Sequence, residues 1–448
     1  MLQYPEQKVC ENDTEISFNT LSITAEQFAA QLNNYRCCAI LCQSEIIAAM
    51  ALLSCFAAGV TAVPLSARYG ELHCQKILDR ISPDAVITDD DGVLTIRQSN
   101  DPRYIEPSIH PALIMCTSGT TGAPKGAMLT EDNIISNVSD ISSYFNIDRE
   151  DSIFISRPLY HCAVLTGEFL TALMKGTRII FYSERFNPPI MPMLICQYGI
   201  TAFCGTPTLF DMMIRFVRNG ADIPLKHICI SGECMDKEIG HRIADTFPDA
   251  EIYHVYGLTE ACPRVSYLPP NLFHEYPDYV GIPLHSVEIK ILCSDGSAAK
   301  EDEEGVLYVK GSNVMTGYYN DPEQTNAVLR DRWLCTRDIA VINSAGLLKI
   351  KGRDDDLIIK GGMNIYPQEI EGALKTDSRV REVLAYGYAT SGGTQIGVKI
   401  SGDFSSANEV KLLCAEKLPG YQIPLRIEIL PELEKNGSGK IKRVKNNA

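Results

Sequence analysis

The segment from Thr117 to Gly126 combines the residue types that bind phosphate. It reads Thr-Ser-Gly-Thr-Thr-Gly-Ala-Pro-Lys-Gly and follows an apolar run typical of a strand. Small hydroxylated residues among glycines leave backbone N–H groups free to surround a polyphosphate, and Lys125 adds a positive charge. A flexible surface turn, the alternative, would not need so many donors in one window. The sequence therefore predicts a phosphate loop at Thr117, Ser118, Gly119, Thr120, Thr121, Gly122 and Lys125.

This loop differs from the P-loop of kinases and GTPases. That pattern requires Gly-Lys followed by Ser or Thr, whereas here Pro124 precedes Lys125 and Gly126 follows it. A P-loop kinase or GTPase is therefore disfavoured, and another class of ATP-using protein has to be considered.

Further motifs occur in a fixed order along the chain, and together with the loop they resemble the adenylate-forming superfamily. That superfamily contains acyl-CoA synthetases, adenylation domains of nonribosomal peptide synthetases and luciferases. The resemblance covers nearly the whole chain, with a short N-terminus and with Arg337 where the family has glycine. The matching segments are Ala57–Leu65, Tyr256-Gly257-Leu258-Thr259-Glu260, Thr336-Arg337-Asp338, Gly352-Arg353 with the acids after it, and Asn436-Gly437-Ser438-Gly439-Lys440.

The resemblance implies that the chain joins a carboxylic acid to the α-phosphate of ATP. Both reactants are anions, so the reaction needs neutralised charge and fixed geometry more than a base. By resemblance, Glu260 beside Thr259 helps to hold Mg²⁺, and Lys440 stabilises the transition state together with Lys125. As an ordinary residue, Glu260 would be a surface acid that caps a helix.

The same resemblance assigns a set of residues to the nucleotide. Tyr256 is expected to stack on adenine, Asp338 to accept hydrogen bonds from the ribose hydroxyls, and Arg353 to reach the sugar or the phosphates. An exposed ion pair between Asp338 and Arg353 is the structural alternative. Gly232, Glu233 and Gly257 are expected to border adenine and the acid, and His254 to lie beside the adenine amino group or to be a structural histidine.

The acid itself is less well defined by the sequence. Leu159-Tyr160-His161-Cys162 resembles a segment of acyl- and aryl-CoA ligases whose histidine abuts the carboxylate, and no acid occurs between Tyr160 and Gly167 to bind an α-ammonium group. An α-amino acid is therefore disfavoured, while a β-amino or hydroxylated acid stays open. The predicted pocket residues, each also readable as core, are Tyr160, His161, Val164, Phe203, Gly232 and Gly257.

A second reaction step is implied by the C-terminal part. In the family, a small domain rotates about a hinge acid, here Asp355, so that the acyl group passes to a thiol. We expect coenzyme A as the acceptor, with the phosphopantetheine of an acyl carrier protein as the alternative. A plain linker explains the acids after Arg353 equally well, and a silent AMP-binding regulator is a third reading. Lys442, Arg443 and Lys445 are interpreted as a solvated basic tail.

The hydrophobic pattern predicts the secondary-structure elements that position these residues. Short β-rich runs such as Ser152–Ile155 and His227–Ile230 alternate with helix-length segments such as Glu131–Tyr144, which predicts parallel strands with crossover helices. We expect an α/β fold with a large N-terminal domain of mixed sheets and helices, residues 1–353. A small mobile α+β domain, residues 354–448, is expected to follow.

Composition limits the remaining classes of function. The net charge of -15 and the lack of a basic stripe disfavour a nucleic-acid partner. Sixteen cysteines are scattered without a signal peptide, which predicts reduced thiols in the cytoplasm and no structural metal. The uncharged stretch Ile46–Leu65 is long enough to span a membrane, but Gly59 and Pro64 interrupt it, so we predict a buried helix and no transmembrane segment.

Overall fold

The computed structural model describes residues 4–66, 70–99, 101–118, 124–184, 186–360, 363–390, 393–435 and 441–443. Five residues of the predicted site lie outside these ranges: Gly119, Thr120, Thr121, Gly122 and Lys440.

Helices follow the apolar periodicity closely. Glu131–Tyr144 is helical over the predicted range, and its first turn is closed by a capping box between Thr130 and Asn133. The α-helices are α1 (Phe18–Ala29), α2 (Glu45–Ala58), α3 (Glu71–Ile81), α4 (Glu131–Tyr144), α5 (Cys162–Val164), α6 (Thr171–Lys175), α7 (Met191–Tyr198), α8 (Pro207–Ile214), α9 (Lys237–Thr246), α10 (Pro322–Val328), α11 (Pro367–Lys375) and α12 (Ala407–Lys417). A π-helix, Leu165–Leu170, joins α5 to α6.

The strands of the first two thirds of the chain are mostly short and buried. They are β1 (Lys8–Glu11), β2 (Thr14–Ser17), β3 (Cys37–Ile40), β4 (Thr61–Pro64), β5 (Ala85–Asp90), β6 (Val93–Gln98), β7 (Leu113–Ser118), β8 (Pro124–Leu129), β9 (Ser152–Ile155), β10 (Arg178–Phe181), β11 (Ala202–Gly205), β12 (His227–Ile230), β13 (Glu251–Gly257), β14 (Arg264–Leu268) and β15 (Ile282–Pro283).

The later strands range from two to eleven residues and are mainly antiparallel. They are β16 (Val287–Leu292), β17 (Gly305–Gly311), β18 (Gly317–Tyr318), β19 (Leu329–Arg330), β20 (Trp333–Ile342), β21 (Leu348–Arg353), β22 (Ile358–Lys360), β23 (Met363–Ile365), β24 (Val380–Thr390), β25 (Gly393–Gly402) and β26 (Arg426–Ile429).

Two large sheets carry several of the predicted site residues. One has the order β15-β14-β13-β12-β11-β9-β10-β1-β2, and the other the order β18-β8-β7-β4-β3-β5-β6. Strands β9 to β13 are parallel, and the segments between them contain helices α5 to α9. The carboxyl end of β13 and the β7–β8 hairpin present the predicted motifs. The predicted α/β fold class is confirmed.

The uncharged stretch forms a helix and a buried strand, as the sequence indicates. Ser44 caps α2 by accepting a hydrogen bond from the N–H of Ile47, and Gly59 ends the helix with a φ of 64°, a left-handed conformation that glycine adopts without strain. Cys37, Cys38 and Cys42 are buried. In the described part of the chain, no helix is long and apolar enough to cross a membrane.

The C-terminal part has a hydrophobic core of its own. Its buried members run from Ile358 to Leu418 and come from α11, α12 and strands β22 to β25. Side chains also connect this part to the preceding sheet, since the Tyr366 hydroxyl donates to Glu304 at 2.5 Å and Lys351 pairs with Glu369 at 2.6 Å. A separate core joined by polar contacts is the arrangement expected of a second domain.

Candidate active site

Three predicted nucleotide residues meet where β13 approaches the β20–β21 hairpin. The Tyr256 hydroxyl donates a hydrogen bond to Asp338, and Arg353 lies beside the same carboxylate, with Nη1 and Oδ1 separated by 3.4 Å. Asp338 and Arg353 are direct partners in the register of β20 and β21. The backbone N–H of Asp338 is also held by the Thr336 hydroxyl at 3.0 Å. The carboxylate is therefore held by two side chains, and the backbone that carries it by a third.

Burial sets the electrostatics of this group. Asp338 is 7% exposed, and burial raises the pKa of its carboxyl, while the Arg353 guanidinium and the Tyr256 hydroxyl act in the opposite direction. Burial and the neighbouring Asp338 raise the pKa of Tyr256 well above its usual value. A buried carboxylate gains most from further hydrogen-bond donors, which is the property required to bind the hydroxyls of a sugar.

A second group lies at the predicted phosphate end. The Lys125 ammonium donates to Gln324 at 2.8 Å and lies 5.2 Å from the ring centroid of Tyr318. The Tyr318 hydroxyl donates to Glu260 at 2.8 Å. Glu260 in turn raises the pKa of Asp338 by charge repulsion, so the two groups are neighbours in one site. Tyr318 and Gln324 lack any motif that would have identified them in the sequence.

The described ends of the loop motif lie on two paired strands at the base of this site. Thr117 on β7 faces Lys125 on β8 in antiparallel register, and Ser118 ends β7. Thr259 begins a short 3₁₀ turn that also contains Glu260. Strand β8, which carries Lys125, contacts the turn that contains Glu260.

Glycine is favoured at positions 257 and 232 for two different structural reasons. Gly257 has no room for a side chain, because a Cβ there would lie 2.0 Å from the Pro263 carbonyl oxygen. Gly232 has a φ of 93° and open space around it, so backbone conformation is what favours glycine. Next to it, Glu233 accepts a 2.6 Å hydrogen bond from the Thr208 hydroxyl.

The predicted role of His254 at adenine is not supported by its contacts. The ring is 1% exposed, and its Nδ1 is 2.9 Å from the backbone carbonyl of Pro277. Burial lowers the pKa of His254 to about 4. The neutral ring thus serves as a packed residue under β13, which was the structural alternative.

The predicted acid-side residues divide between two faces of the sheet. The Tyr160 hydroxyl and His161 Nε2 are 2.7 Å apart at the start of α5, and Val164 is fully buried nearby. Phe203, however, packs against Phe154 and Phe210 in a different core cluster. Because side chains alternate along a strand, the residue of β11 on the Val164 side is Cys204 and not Phe203. The placement of Phe203 in the acid pocket is therefore corrected.

Tyr160 also borders a small cleft. Its other walls come from α2, the ends of β3 and β4, and the π-helix, through residues such as Ala48, Leu52 and Leu165. Neither Glu260 nor Asp338 lines this cleft, so it extends from the acid side of the site and not from the nucleotide side.

Sequence reasoning missed a buried charged group on the acid side. Arg264, at the start of β14, is 2% exposed, and Glu168 in the π-helix is fully buried. Arg157 pairs with Glu168 at 2.6 Å. Glu168 follows too late to replace the acid of amino-acid-activating domains, and only the fold brings it next to Arg264.

The predicted hinge acid lies next to a nucleotide residue. Asp355 Oδ1 is 3.4 Å from Nε of Arg353, within a short 3₁₀ turn. Arg443, interpreted as part of a solvated tail, is exposed, but it is also ion-paired. Its guanidinium pairs with Glu371 at 2.8 Å and with Asp356 at 3.1 Å, which ties the C-terminal segment to this turn.

Comparison with known proteins gives a consistent result. The profile of the family described as AMP-binding enzyme matches residues 2–319. The chain is 34% identical over 355 residues to the long-chain-fatty-acid-CoA ligase of Haemophilus influenzae, which covers 76% of this chain and 63% of that one. It is 31% identical over 335 residues to the feruloyl-CoA synthase of an Amycolatopsis species, covering 73% and 68%. The matched part thus spans less than two thirds of the Haemophilus ligase.

A solved structure agrees over almost the whole chain. O-succinylbenzoate coenzyme A synthetase from Bacillus subtilis, in complex with ATP and a magnesium ion, superposes with a TM-score of 0.85 at 26% identity. The superposition covers 98% of this chain and 96% of that one. The similarity therefore includes the C-terminal part as well as the segment that the family profile matches.

Proposed function

This chain belongs to the AMP-binding enzyme family, and on that premise we propose that it activates a carboxylic acid with ATP. In the first step a carboxylate oxygen attacks the α-phosphorus, and pyrophosphate leaves with the electrons of the broken P–O bond. In the second step a thiol sulfur attacks the acyl carbon of the acyl-AMP, and AMP leaves. The enzyme is an AMP-forming acid-thiol ligase with coenzyme A as its acceptor.

One observation carries this proposal. The buried Tyr256–Asp338–Arg353 group and the Lys125–Tyr318–Glu260 group lie side by side, so one site offers hydrogen-bond acceptors for a ribose and charges for a polyphosphate. A silent regulator would need only the first group. The presence of both supports catalysis.

The roles of the nucleotide residues follow from their chemistry. Asp338 accepts from the ribose hydroxyls, since its carboxylate is held by Tyr256 and Arg353 before the nucleotide arrives. The ring of Tyr256 is available for adenine because its hydroxyl is already occupied by Asp338. His254 contributes by packing and not by contact with adenine.

The phosphate end requires cations. Lys125 approaches the phosphates from β8, and Lys440, by resemblance, enters from the C-terminal loop. Glu260 is a half-buried carboxylate oriented by Tyr318, a hard oxygen ligand that fits Mg²⁺. When bound, Mg²⁺ supplies positive charge that offsets the repulsion between ATP and the acid. Glu260 would hold it.

The second step rests on the C-terminal domain. We propose that residues 354–448 move as a unit relative to residues 1–353, with Asp355 at the hinge. The Arg443 pairs with Asp356 and Glu371 couple the segment after Lys440 to the hinge turn, so a hinge rotation would carry that loop with it. The names of the relatives, which are coenzyme A ligases and synthetases, support coenzyme A as the acceptor in preference to a carrier protein.

The test is acid-dependent exchange of labelled pyrophosphate into ATP. We expect exchange with at least one class in a panel of aliphatic, aromatic and hydroxylated acids, and thioester formation on coenzyme A in preference to a phosphopantetheinylated carrier protein. Glu260→Gln should abolish the exchange, while the matched control Glu238→Gln, on the exposed face of α9, should not. ATP binding without exchange for any acid would favour the silent regulator.

A further inference from the structure

Arg264 is a buried cation that, in the described part of the chain, forms no ion pair within 4 Å. Arginine is rarely fully buried unless an acid pairs with it, because removing its charge from water is costly. The backbone of Arg264 is held by two buried amides: its N–H donates to Asn137 at 3.1 Å, and its carbonyl accepts from Asn137 and Asn313. The guanidinium is thus directed into the interior from a fixed position.

The guanidinium points to the wall that is predicted to line the acid. Its Nη2 is 3.6 Å from the Cys229 sulfur, and a Cβ placed on Gly167 would lie 3.2 Å from the same nitrogen. Gly167 follows Val164 by about one helical turn. The backbone of Arg264 is paired with Gly257, another predicted pocket residue. Arg264 therefore lies at the inner end of the acid side.

The charges around Arg264 do not balance. Arg157 pairs with Glu168 at 2.6 Å, and Arg264 adds a second guanidinium to this buried carboxylate. Arg157, Glu168 and Arg264 together therefore carry one more positive than negative charge. A thiol sulfur is a weak acceptor and does not replace a carboxylate as a partner for arginine.

Unsatisfied polar atoms are concentrated in the same region. Buried polar atoms normally have hydrogen-bond partners. In the described part of the chain, most of the buried side-chain atoms that lack one belong to the Arg157–Glu168–Arg264 group or to adjacent serines: Ser156 Oγ, Arg157 Nε, Glu168 Oε2, Arg264 Nε and Ser266 Oγ. Ser266 lies two residues after Arg264 on β14. Donors surrounding an excess positive charge form a recognition site for an anion with acceptor oxygens.

We propose, in an inference that rests on the proposed acid activation, that Arg264 binds a second carboxylate at the far end of the substrate. The substrate is then a dicarboxylic acid, of which one carboxylate is adenylated near His161 and the other pairs with Arg264. His161 and Gly167 lie roughly 9 Å apart along the helical run, at about 1.5 Å per residue. An extended chain of about six to eight carbon atoms spans that distance.

The wild-type protein allows a direct test with matched acids. Pyrophosphate exchange is compared for adipate and suberate against their monomethyl esters, which keep the chain length and one reactive carboxylate but lose the distal charge. We expect kcat/KM for the diacid to exceed that of its ester by about 10- to 100-fold, as for a charged hydrogen bond. Equal values would overturn the role of Arg264, although exchange with either acid would still support acid activation.

Variants then assign the selectivity to one side chain. Arg264→Met should raise KM for the diacid and remove the preference over the ester, with KM for ATP unchanged. Arg264→Lys should keep part of the preference, and Arg218→Met, at an exposed position, should change neither. The thermal midpoint separates the alternatives, because Arg264→Met leaves the neutral Arg157–Glu168 pair and should not lower stability. A large fall in the midpoint with unchanged selectivity would show a structural role instead.

Calorimetric titration of the wild-type protein with adipate tests the proposed Arg264 site without relying on turnover. If no acid supports exchange, saturable adipate binding that is lost in Arg264→Met and retained in Arg218→Met would support the dicarboxylate site and refute acid activation. Failure of both exchange and binding would overturn both proposals.

Discussion

The burial of His254 predicts that this protein loses stability in mild acid. The ring is 1% exposed beneath β13 and is held by the Pro277 carbonyl at 2.9 Å. Burial lowers the pKa of the folded-state imidazole to about 4, against about 6.5 in an unfolded chain. Between these values the unfolded protein binds a proton that the folded protein does not.

The sign and size follow from this difference. A histidine with a depressed pKa contributes its full stability above pH 6.5, and that contribution falls as the pH decreases toward 4. The whole difference of 2.5 pKa units corresponds to about 3.4 kcal/mol. At pH 5 the folded state should be less stable than at pH 7.5 by about 2 kcal/mol from this residue alone.

Urea denaturation at the two pH values measures the effect. Other groups also respond to acid, since hydrogen bonds and charge lower the pKa of Asp151 and Glu251 against the effect of burial, so the informative quantity is a difference between proteins. In His254→Asn the loss on going from pH 7.5 to pH 5 should be smaller than in wild type by about 2 kcal/mol. The exposed His285→Asn should behave like wild type. Equal losses in wild type and His254→Asn would refute the reasoning.

Three further predictions concern the site. Glu260→Gln keeps the hydrogen bond from Tyr318 but loses the charge, so pyrophosphate exchange should fall by about 100-fold or more with an unchanged thermal midpoint; a lowered midpoint would indicate a structural role. Arg337 has a φ of 59°, so Arg337→Gly should increase the free energy of unfolding by about 1 kcal/mol in urea, and a decrease would contradict the strain argument. Lys440→Ala should lower adenylation by about 100-fold while ATP binding, measured by calorimetry, is retained; equal losses would exclude a transition-state role.

Local pattern was sufficient for most elements of the fold. The buried helix at Glu45–Ala58 and the strand at Ser152–Ile155 match the predicted ranges, because capping residues and apolar runs lie within each element itself. The presence of Arg337 where the family has glycine also has a local explanation. This residue takes the left-handed conformation that a glycine would adopt without strain.

What the sequence did not reveal depends on contacts between distant segments. Tyr318 reaches Glu260 across 58 positions, and Arg443 reaches Glu371 across 72. No spacing rule connects such pairs. The error at Phe203 has a different cause: a fully buried strand has apolar residues on both faces, so alternation could not indicate which face borders the acid.

The most direct test of the central claim follows the oxygen atoms of the acid. The protein is incubated with ATP, coenzyme A and an activated acid whose carboxylate is labelled with oxygen-18, and the products are analysed by mass spectrometry. Attack of the carboxylate on the α-phosphorus followed by thiol transfer predicts AMP that carries one labelled oxygen, unlabelled pyrophosphate and an acyl-CoA that keeps the other label. Label in inorganic phosphate, or the formation of ADP in place of labelled AMP, would contradict activation through an acyl-AMP.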